Sequence, residues 1–239
     1  MIKVIHQNHI LAFYLMVFSL IPFCADAQDY LLNKYGLWVI SSFSQFQKTV
    51  KENDGKTIVD LKKVIPGIVI DLRYATKNNF MYSKLYPSIH TTWLRKTSAD
   101  SLAMVQKELD SYGLGLKIFD AYRPYSITEK MWVRVKDDRY TADPKKGSGH
   151  NRGIAVDITL INLTTKKELE MGTNYDNFSD TAHYSFTGLR KEIITNRILL
   201  KMVMEKYGFR SLETEWWHFS LPNAMDFELL DIPFRNFLK

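Results

Sequence analysis

The stretch that most constrains this chain is Ser148-Gly-His-Asn-Arg-Gly-Ile-Ala-Val-Asp157, which predicts a loop running into a strand. From Gly153 onward the residues alternate with the period of a strand, so an aliphatic stripe faces one side and Asp157 faces the other. A carboxylate in mid-strand is costly unless a positive group satisfies it. His150 lies in the loop just before it. An imidazole and a carboxylate are two of the three protein ligands that an open zinc site needs.

A candidate third ligand lies in Glu213-Thr-Glu-Trp-Trp-His-Phe-Ser220, whose bulky aromatics predict a strand in a packed sheet. His218 would complete an N, O, N ligand set with His150 and Asp157 and leave the fourth position to water. Glu215 precedes His218 by three residues, so an ideal strand would place them on opposite faces. The chain must therefore twist or bulge here, or Glu215 must lie in the turn entering the strand. Glu215 is then a free carboxylate able to take a proton from water.

The first 27 residues have the pattern of a secretory signal peptide. Lys3 is followed by an apolar run over residues 10–23 and by Ala25-Asp-Ala27, an A-x-A cleavage site. We expect cleavage after Ala27, export to the periplasm and no membrane span in the mature protein, because the apolar run is short. A lipoprotein tether through Cys24 is the alternative, and the bulky residue just before it disfavours that tether.

Cys24 is the only cysteine, so the mature protein has no disulfide and no thiolate ligand. The formal net charge of +6 is spread along the chain without a long basic block. This charge favours solubility, with mild attraction to anionic wall polymers, and argues against nucleic-acid binding. The length after residue 27 suits a lead-in over 28–60 and one domain over 61–239. Nothing in the sequence indicates an oligomeric state.

Hydrophobic periodicity and turn residues predict the elements around these motifs. Three helices are expected at about 98–112, 125–136 and 187–207. Further strands are expected at about 68–74 and 116–119, with a short strand and a helix in the lead-in at 37–40 and 43–50.

The predicted strand at 116–119 ends in Asp120-Ala-Tyr-Arg-Pro124, where Pro124 suits the start of a helix. Arg123 is therefore held at a strand-to-helix junction. Taken alone, it is more simply a solvated arginine or one paired with Asp120. Beside a metal site, the favoured interpretation is a fixed guanidinium aimed at an oxyanion or a carboxylate.

Together these motifs resemble those of the D-alanyl-D-alanine dipeptidases, the zinc dipeptidase family that includes the vancomycin-resistance dipeptidase. That family is related to the D,D-carboxypeptidases and to the fold of the hedgehog signalling domain. The resemblance covers about residues 60–220, and further short segments carry it. These segments are Asp71-Leu-Arg-Tyr-Ala-Thr76, Gly115-Leu-Lys-Ile-Phe119, Met171-Gly-Thr173 with Asp176, and Asn196-Arg197.

The resemblance implies an α+β fold, with a central antiparallel sheet and helices packed outside, and one Zn²⁺ per chain. Three residues match the zinc ligands: His150, Asp157 and His218. Two match catalytic groups, the general base and the stabiliser of the transition state: Glu215 and Arg123. Three match substrate-binding positions, the first for the substrate's ammonium and the others in the pocket lining: Asp176, Tyr74 and Ser148.

Three functions are compatible with the sequence. The first is an exported zinc dipeptidase that hydrolyses the small D,D-dipeptide D-alanyl-D-alanine. The second is a D,D- or L,D-carboxypeptidase that trims peptidoglycan stem peptides, and Asp176 argues against it because a long acyl side would meet a negative charge. The third is a non-catalytic wall-binding module with a structural zinc, which would need neither Glu215 nor Arg123.

Overall fold

The computed structural model describes residues 32–238, so the predicted signal peptide lies outside the described residues. Within that range the chain forms short outer strands, a central sheet and six α-helices. The strands are β1 Val39–Ile40, β2 Ile58–Asp60, β3 Val69–Ile70, β4 Trp93–Arg95, β5 Leu114–Asp120, β6 Ala155–Asn162, β7 Arg210–Leu212, β8 Glu215–Ser220 and β9 Leu229–Leu230. The helices are α1 Phe43–Glu52, α2 Leu61–Val64, α3 Lys96–Asp110, α4 Tyr125–Arg134, α5 Gly149–Arg152 and α6 Lys191–Lys206.

The central sheet has five strands in the order β3-β5-β6-β8-β7, and helices α3 and α6 pack against it. Neighbouring strands run antiparallel except at one edge, where β3 runs parallel to β5. The middle strand β6 is buried along residues 155–161, on both its faces. The predicted α+β class is confirmed, and the three predicted helices correspond to α3, α4 and α6 to within about one turn.

The strand register brings three polar residues side by side in the middle of this sheet. Asp157 on β6 lies opposite Asp120 on β5 and opposite His218 on β8. Residues that face each other on adjacent strands project to the same side of a sheet. The register therefore places a second carboxylate and an imidazole beside Asp157, on the face opposite its aliphatic stripe.

The strand predicted over 68–74 is wrong for most of its length. Only Val69–Ile70 is a strand, and Arg73–Ala75 forms a 3₁₀ turn. β3 lies at the sheet edge, where β5 is its one strand neighbour. After the N–H of Asp71 donates to the carbonyl of Ile118, at 2.9 Å, the chain turns and buries the ring of Tyr74. The β-branched residues favour an extended chain, but pairing with β5 ends at Ile118, where the register of β5 becomes irregular.

Residues 149–152 form the one-turn helix α5 where a loop was predicted. The Ser148 hydroxyl accepts a hydrogen bond from the N–H of His150 at 3.2 Å, and the Asn151 side chain accepts one from the N–H of Ser148 at 3.0 Å. This reciprocal cap begins the helix. Gly153, with φ of +70°, ends it, and a Cβ there would lie 3.3 Å from the backbone nitrogen of Arg95. A single turn is too short to show helical periodicity, so the pattern did not predict it.

Residues 32–60, the described part of the predicted lead-in, contribute β1, α1 and β2. β1 runs parallel to β9, and Phe46 of α1 lies in the hydrophobic core. The fully buried Arg95 on β4 donates to the carbonyl of Lys56 at 2.7 Å. The domain boundary near residue 60 stays a prediction. Among residues 32–238, none of the helices has both the length and the apolar character to cross a membrane.

Candidate metal centre and active site

One cavity of about 220 Å³ is lined by all eight residues that the sequence predicts as site residues. Five separate segments contribute them. The residues are Tyr74, Arg123, Ser148, His150, Asp157, Asp176, Glu215 and His218. A larger groove of about 950 Å³, between α1 and β2, is mainly apolar and is lined by none of them.

His150, Asp157 and His218 place three potential ligand atoms close together. His150 Nε2 lies 3.3 Å from Asp157 Oδ1 and 3.2 Å from His218 Nδ1, which lies 2.9 Å from the same carboxylate oxygen. His150 Nδ1 lies 2.7 Å from the carbonyl oxygen of Ala121. A carbonyl only accepts, so this contact places the ring proton on Nδ1 and leaves a lone pair on Nε2 of the neutral ring.

This arrangement fits a divalent cation. In the neutral ring, the Nε2 lone pair of His150 points at a carboxylate oxygen, and the His218 nitrogen converges on the same point. A cation held between the three atoms removes the repulsion between lone pairs, and two nitrogens with one oxygen is a donor set that zinc uses in catalytic sites. Burial acts to raise the pKa of Asp157, but the charge and N–H groups of the two imidazoles in their protonated forms outweigh it and lower that pKa below its usual range, as a bound cation would. Burial lowers the pKa of His218, which favours the neutral form that binds metals.

Helix α5 connects the His150 motif to the Asp120–Pro124 motif through the backbone. The N–H of Arg123 donates to the carbonyl of His150 at 3.1 Å. The fully buried Asn151 donates from its side chain to the carbonyl of Arg123 at 2.9 Å and to the hydroxyl of Thr128 at 2.8 Å. Ser148 lines the cavity, and its observed hydrogen bond is the cap of α5. The two motifs therefore form one rigid unit around the ligands.

Arg123 is buried and is paired with Asp120, so both contacts considered from the sequence are present: it has a carboxylate partner and it faces the cavity. Its Nε and Nη2 donate to Asp120 Oδ2 at 2.9 and 2.7 Å. The Tyr86 hydroxyl donates to the other oxygen of Asp120 at 2.7 Å. Burial acts to lower the pKa of Arg123, and the neighbouring Asp120 carboxylate reverses this, raising that pKa well above its ordinary value. The guanidinium is therefore a fixed cation in the cavity wall.

Glu215 and His218 line the same cavity because β8 is irregular, one of the possibilities that the spacing required. The pairing of β7 with β8 shifts register between Ser211, opposite Phe219, and Leu212, opposite Glu215. The residues between those two positions on β8 bulge, so the alternation of faces is broken. Burial, with the nearby charges of Asp157 and Asp176, raises the pKa of Glu215 well above its ordinary value.

Asp176 lies in a loop with φ of +60°, a conformation that aspartate tolerates better than most residues. Its Oδ1 accepts a hydrogen bond from the Tyr74 hydroxyl at 3.0 Å. Its Oδ2 is buried and receives no hydrogen bond from the residues described. Burial and the Asp157 charge raise the pKa of Asp176 to about 7. Arg197 of α6 anchors this loop by donating hydrogen bonds to the carbonyls of Met171 at 2.7 Å and Thr181 at 3.0 Å.

A family model described as D-ala-D-ala dipeptidase matches residues 54–239. The chain belongs to the D-Ala-D-Ala dipeptidase family. It is 33% identical over 186 residues to the D-alanyl-D-alanine dipeptidase of Escherichia coli, covering 78% of this chain and 95% of that protein. It is 30% identical over 181 residues to the enzyme of the same name from Enterococcus faecalis, covering 67% of this chain and 89% of that one.

Among solved structures, this member of the D-Ala-D-Ala dipeptidase family is similar to the LdcB LD-carboxypeptidase, with a TM-score of 0.36 and 20% identity. The match covers 56% of this chain and 62% of the solved one. The resemblance inferred from the motifs is confirmed by the family match. Membership in the D-Ala-D-Ala dipeptidase family makes the chain a hydrolase of a metallopeptidase family, which agrees with the His-Asp-His cluster.

The structure adds residues around this cavity that the sequence did not single out. The Tyr175 hydroxyl donates to Asp157 Oδ2 at 2.8 Å and lies 3.1 Å from the Tyr74 hydroxyl. Tyr140 and Phe80 line the cavity as well. Tyr175 is next to Asp176 in the segment that begins at Met171. That adjacency was the one signal in the sequence that could have pointed to Tyr175 as a site residue. Its contacts with Asp157 and Tyr74 join positions far apart in the chain, which no local pattern predicts.

Proposed function

We propose that this chain is an exported, zinc-dependent dipeptidase that hydrolyses D-alanyl-D-alanine to two molecules of D-alanine. The observation that carries the proposal is the convergence of all eight predicted residues on one small cavity. Its volume of about 220 Å³ is below the roughly 300–1,000 Å³ of pockets for drug-sized ligands, so it suits a substrate of dipeptide size.

His150, Asp157 and His218 would hold the zinc ion. When bound there, zinc supplies Lewis acidity and lowers the pKa of a bound water to about 7. Glu215 takes a proton from the attacking water and returns it to the leaving amine. Burial raises the pKa of this carboxyl well above its ordinary value, whereas a cation on the neighbouring ligands would act to lower it.

Arg123 stabilises the negative charge that develops on the carbonyl oxygen during attack. Asp120 uses two of the five N–H donors of its guanidinium and fixes their plane, so the arginine needs no reorganisation when the charge forms. The contribution of such a donor is about 2.7–4 kcal/mol of barrier.

Asp176 selects for a free ammonium and therefore for a dipeptide. Its Oδ2 is a buried acceptor that no described residue satisfies, and the ammonium of D-Ala-D-Ala supplies both the missing donors and a compensating charge. A longer peptide has a neutral amide at this place and leaves the carboxylate unpaired. Tyr74 orients the acceptor by donating to its other oxygen.

The test is release of D-alanine by the purified, zinc-loaded protein from D-Ala-D-Ala and, in a separate reaction, from a stem pentapeptide ending in D-Ala-D-Ala. We expect cleavage of the dipeptide alone. Cleavage of the pentapeptide would replace the proposal with a carboxypeptidase. Turnover of neither substrate, with zinc tightly bound, would leave a wall-binding module.

Export is proposed from the pattern of residues 1–27 and is tested by fractionating the producing cells. A periplasmic protein that begins at Gln28, by mass spectrometry of the intact chain, is the expected result. Recovery in the membrane fraction with a lipid on Cys24 would establish the tethered alternative.

A further inference from the structure

Two tyrosine hydroxyls join the two carboxylates of the cavity in a single chain of contacts. Asp157 Oδ2 lies 2.8 Å from the hydroxyl of Tyr175, which lies 3.1 Å from that of Tyr74, which lies 3.0 Å from Asp176 Oδ1. Tyr74 belongs to the predicted site, whereas the proposed mechanism gives Tyr175 no task. Tyr175 touches the carboxylate that would bind the metal, and Tyr74 touches the one that would bind the substrate.

Counting protons assigns each hydroxyl to one carboxylate. With both carboxylates ionised, two hydroxyl protons are available for three oxygen–oxygen contacts, and an ionised acceptor attracts a proton more strongly than a neutral hydroxyl does. Tyr175 therefore donates to Asp157, Tyr74 donates to Asp176, and the contact between the tyrosines is left without a proton. That middle contact is the longest of the three, which agrees with this assignment.

Tyr175 is the one hydrogen-bond donor to Asp157 Oδ2 among residues 32–238. The guanidinium of Arg123 is also near that oxygen, but its Nη2 lies 3.9 Å away, beyond hydrogen-bonding distance. Asp157 Oδ1 is the oxygen that faces the two histidine nitrogens. A donor on Oδ2 therefore fixes the rotation of the carboxylate and points Oδ1 at the metal position.

Packing holds the Tyr175 ring in the orientation that this task requires. The side chain is buried, and its ring centroid lies 4.9 Å from that of Phe119, 5.5 Å from that of Trp217 and 6.0 Å from that of Tyr74. Three aromatic neighbours leave the ring little freedom to swing, so the hydroxyl stays directed at Asp157.

We propose that Tyr175 is a positioning residue that orients the Asp157 carboxylate for the metal, while Tyr74 serves the substrate-binding carboxylate of Asp176. The inference rests on the proposed function for the identity of the metal. Loss of an outer hydrogen-bond partner of a metal ligand typically costs about 10–100-fold in metal affinity or activity. We expect Tyr175→Phe to weaken zinc binding by that factor.

The experiment measures the zinc dissociation constant of the full metal-free protein by competition with a coloured chelator. The variants are Tyr175→Phe, Tyr74→Phe and the control Tyr122→Phe. Tyr122 is fully buried, and its hydroxyl donates to the carbonyl of Ile232 at 2.8 Å and accepts from its N–H at 2.9 Å. Tyr122→Phe thus removes at least as many buried hydrogen bonds as Tyr175→Phe, outside the cavity.

The expected result is a zinc dissociation constant about 10–100-fold higher for Tyr175→Phe, and within about twofold of wild type for Tyr74→Phe and Tyr122→Phe, whose hydroxyls do not touch a ligand. An unchanged constant for Tyr175→Phe, or an equal loss in Tyr122→Phe, overturns the inference. At saturating zinc, KM for D-Ala-D-Ala should rise in Tyr74→Phe and change little in Tyr175→Phe. A similar rise in both variants would also overturn the division of tasks between the hydroxyls.

These measurements separate the inference from the proposed function. A wild-type protein that binds zinc but does not cleave D-Ala-D-Ala defeats the proposed substrate, and the comparison of zinc affinities still decides the role of Tyr175. A wild-type protein that binds no zinc defeats both.

Discussion

One carboxylate oxygen of Asp120 accepts two hydrogen bonds from Arg123, at 2.9 Å from Nε and 2.7 Å from Nη2. Asp120 is fully buried, and it is neighbour in register to Asp157 on the next strand. The sheet therefore presents the metal-ligand candidate and the guanidinium to the cavity as one rigid arrangement. This geometry suggests that the planar fork of Arg123 matters, and not only its positive charge.

Arg123→Lys keeps the charge and removes the fork, so the cation loses its fixed position. We expect kcat for D-Ala-D-Ala to fall about 10²–10³-fold, as for loss of an oxyanion donor, with a smaller change in KM. Steady-state kinetics at saturating zinc measure this. The control is Arg95→Lys, which removes another buried guanidinium, one that is paired with Glu228 and is not part of the cavity lining. A kcat for Arg123→Lys within tenfold of wild type would contradict the assigned role.

Glu215→Gln replaces the proposed base with an amide of the same shape. We expect kcat to fall about 10²–10⁴-fold, because proton transfer to a positioned side chain contributes about that much. Zinc affinity should be retained, since Glu215 is not among the three clustered ligands. Glu213→Gln, two residues earlier and exposed, is the matched control and should retain wild-type kcat. An equal fall of kcat in both variants would mean that the substitutions disturb the start of β8, and would contradict the role of Glu215 as the base.

Asp176→Asn should stabilise the metal-free protein, and by an amount that depends on pH. The folded-state pKa of Asp176 is raised to about 7, whereas an unfolded aspartate titrates near about 3.9. Between these values the folded state holds a proton that the unfolded state has released, so this group makes stability fall as pH rises, by up to about 1.4 kcal/mol per pH unit. Below about pH 4 this effect gives the variant no added stability over the wild type. Above about pH 7 the added stability no longer changes with pH.

Urea unfolding of metal-free wild type and Asp176→Asn at pH 5 and pH 8 measures this difference. The variant's advantage should be larger at pH 8. A pH-independent difference would contradict the raised pKa. At saturating zinc, Asp176→Asn should also raise KM for the dipeptide, because its ammonium loses an ionic partner.

Zinc should stabilise the folded protein through the His150, Asp157 and His218 cluster. A ligand at 100 times its dissociation constant stabilises the native state by about 2.7 kcal/mol when it does not bind the unfolded chain. We expect zinc to raise the Tm of the wild type, chelation to reverse the rise, and His218→Ala to abolish it. His90→Ala, at an exposed histidine, is the control and should respond as the wild type does. A zinc-dependent rise in Tm that survives His218→Ala would place the metal elsewhere.

The sequence alone indicated which side chains line the site, because each of them stands in a short motif with its own local signal. Strand alternation predicted that Asp157 is held near the core. The odd spacing of Glu215 and His218 predicted a twist or bulge in the strand or a turn position for Glu215, and β8 has the irregularity. The junction before Pro124 predicted that Arg123 is fixed. The family match then agreed with the resemblance that these motifs carried together.

Only the tertiary structure decided how these groups meet. The register of β5, β6 and β8 aligns Asp120, Asp157 and His218, and register depends on packing between distant segments, which local propensity does not encode. For the same reason the strand expected over 68–74 shortened at the sheet edge. Tyr175 and Tyr74 are 101 positions apart, and their contact exists because the 3₁₀ turn that holds Tyr74 packs against the segment that holds Tyr175. Local patterns specify which side chains are available, and long-range packing specifies which of them come into contact.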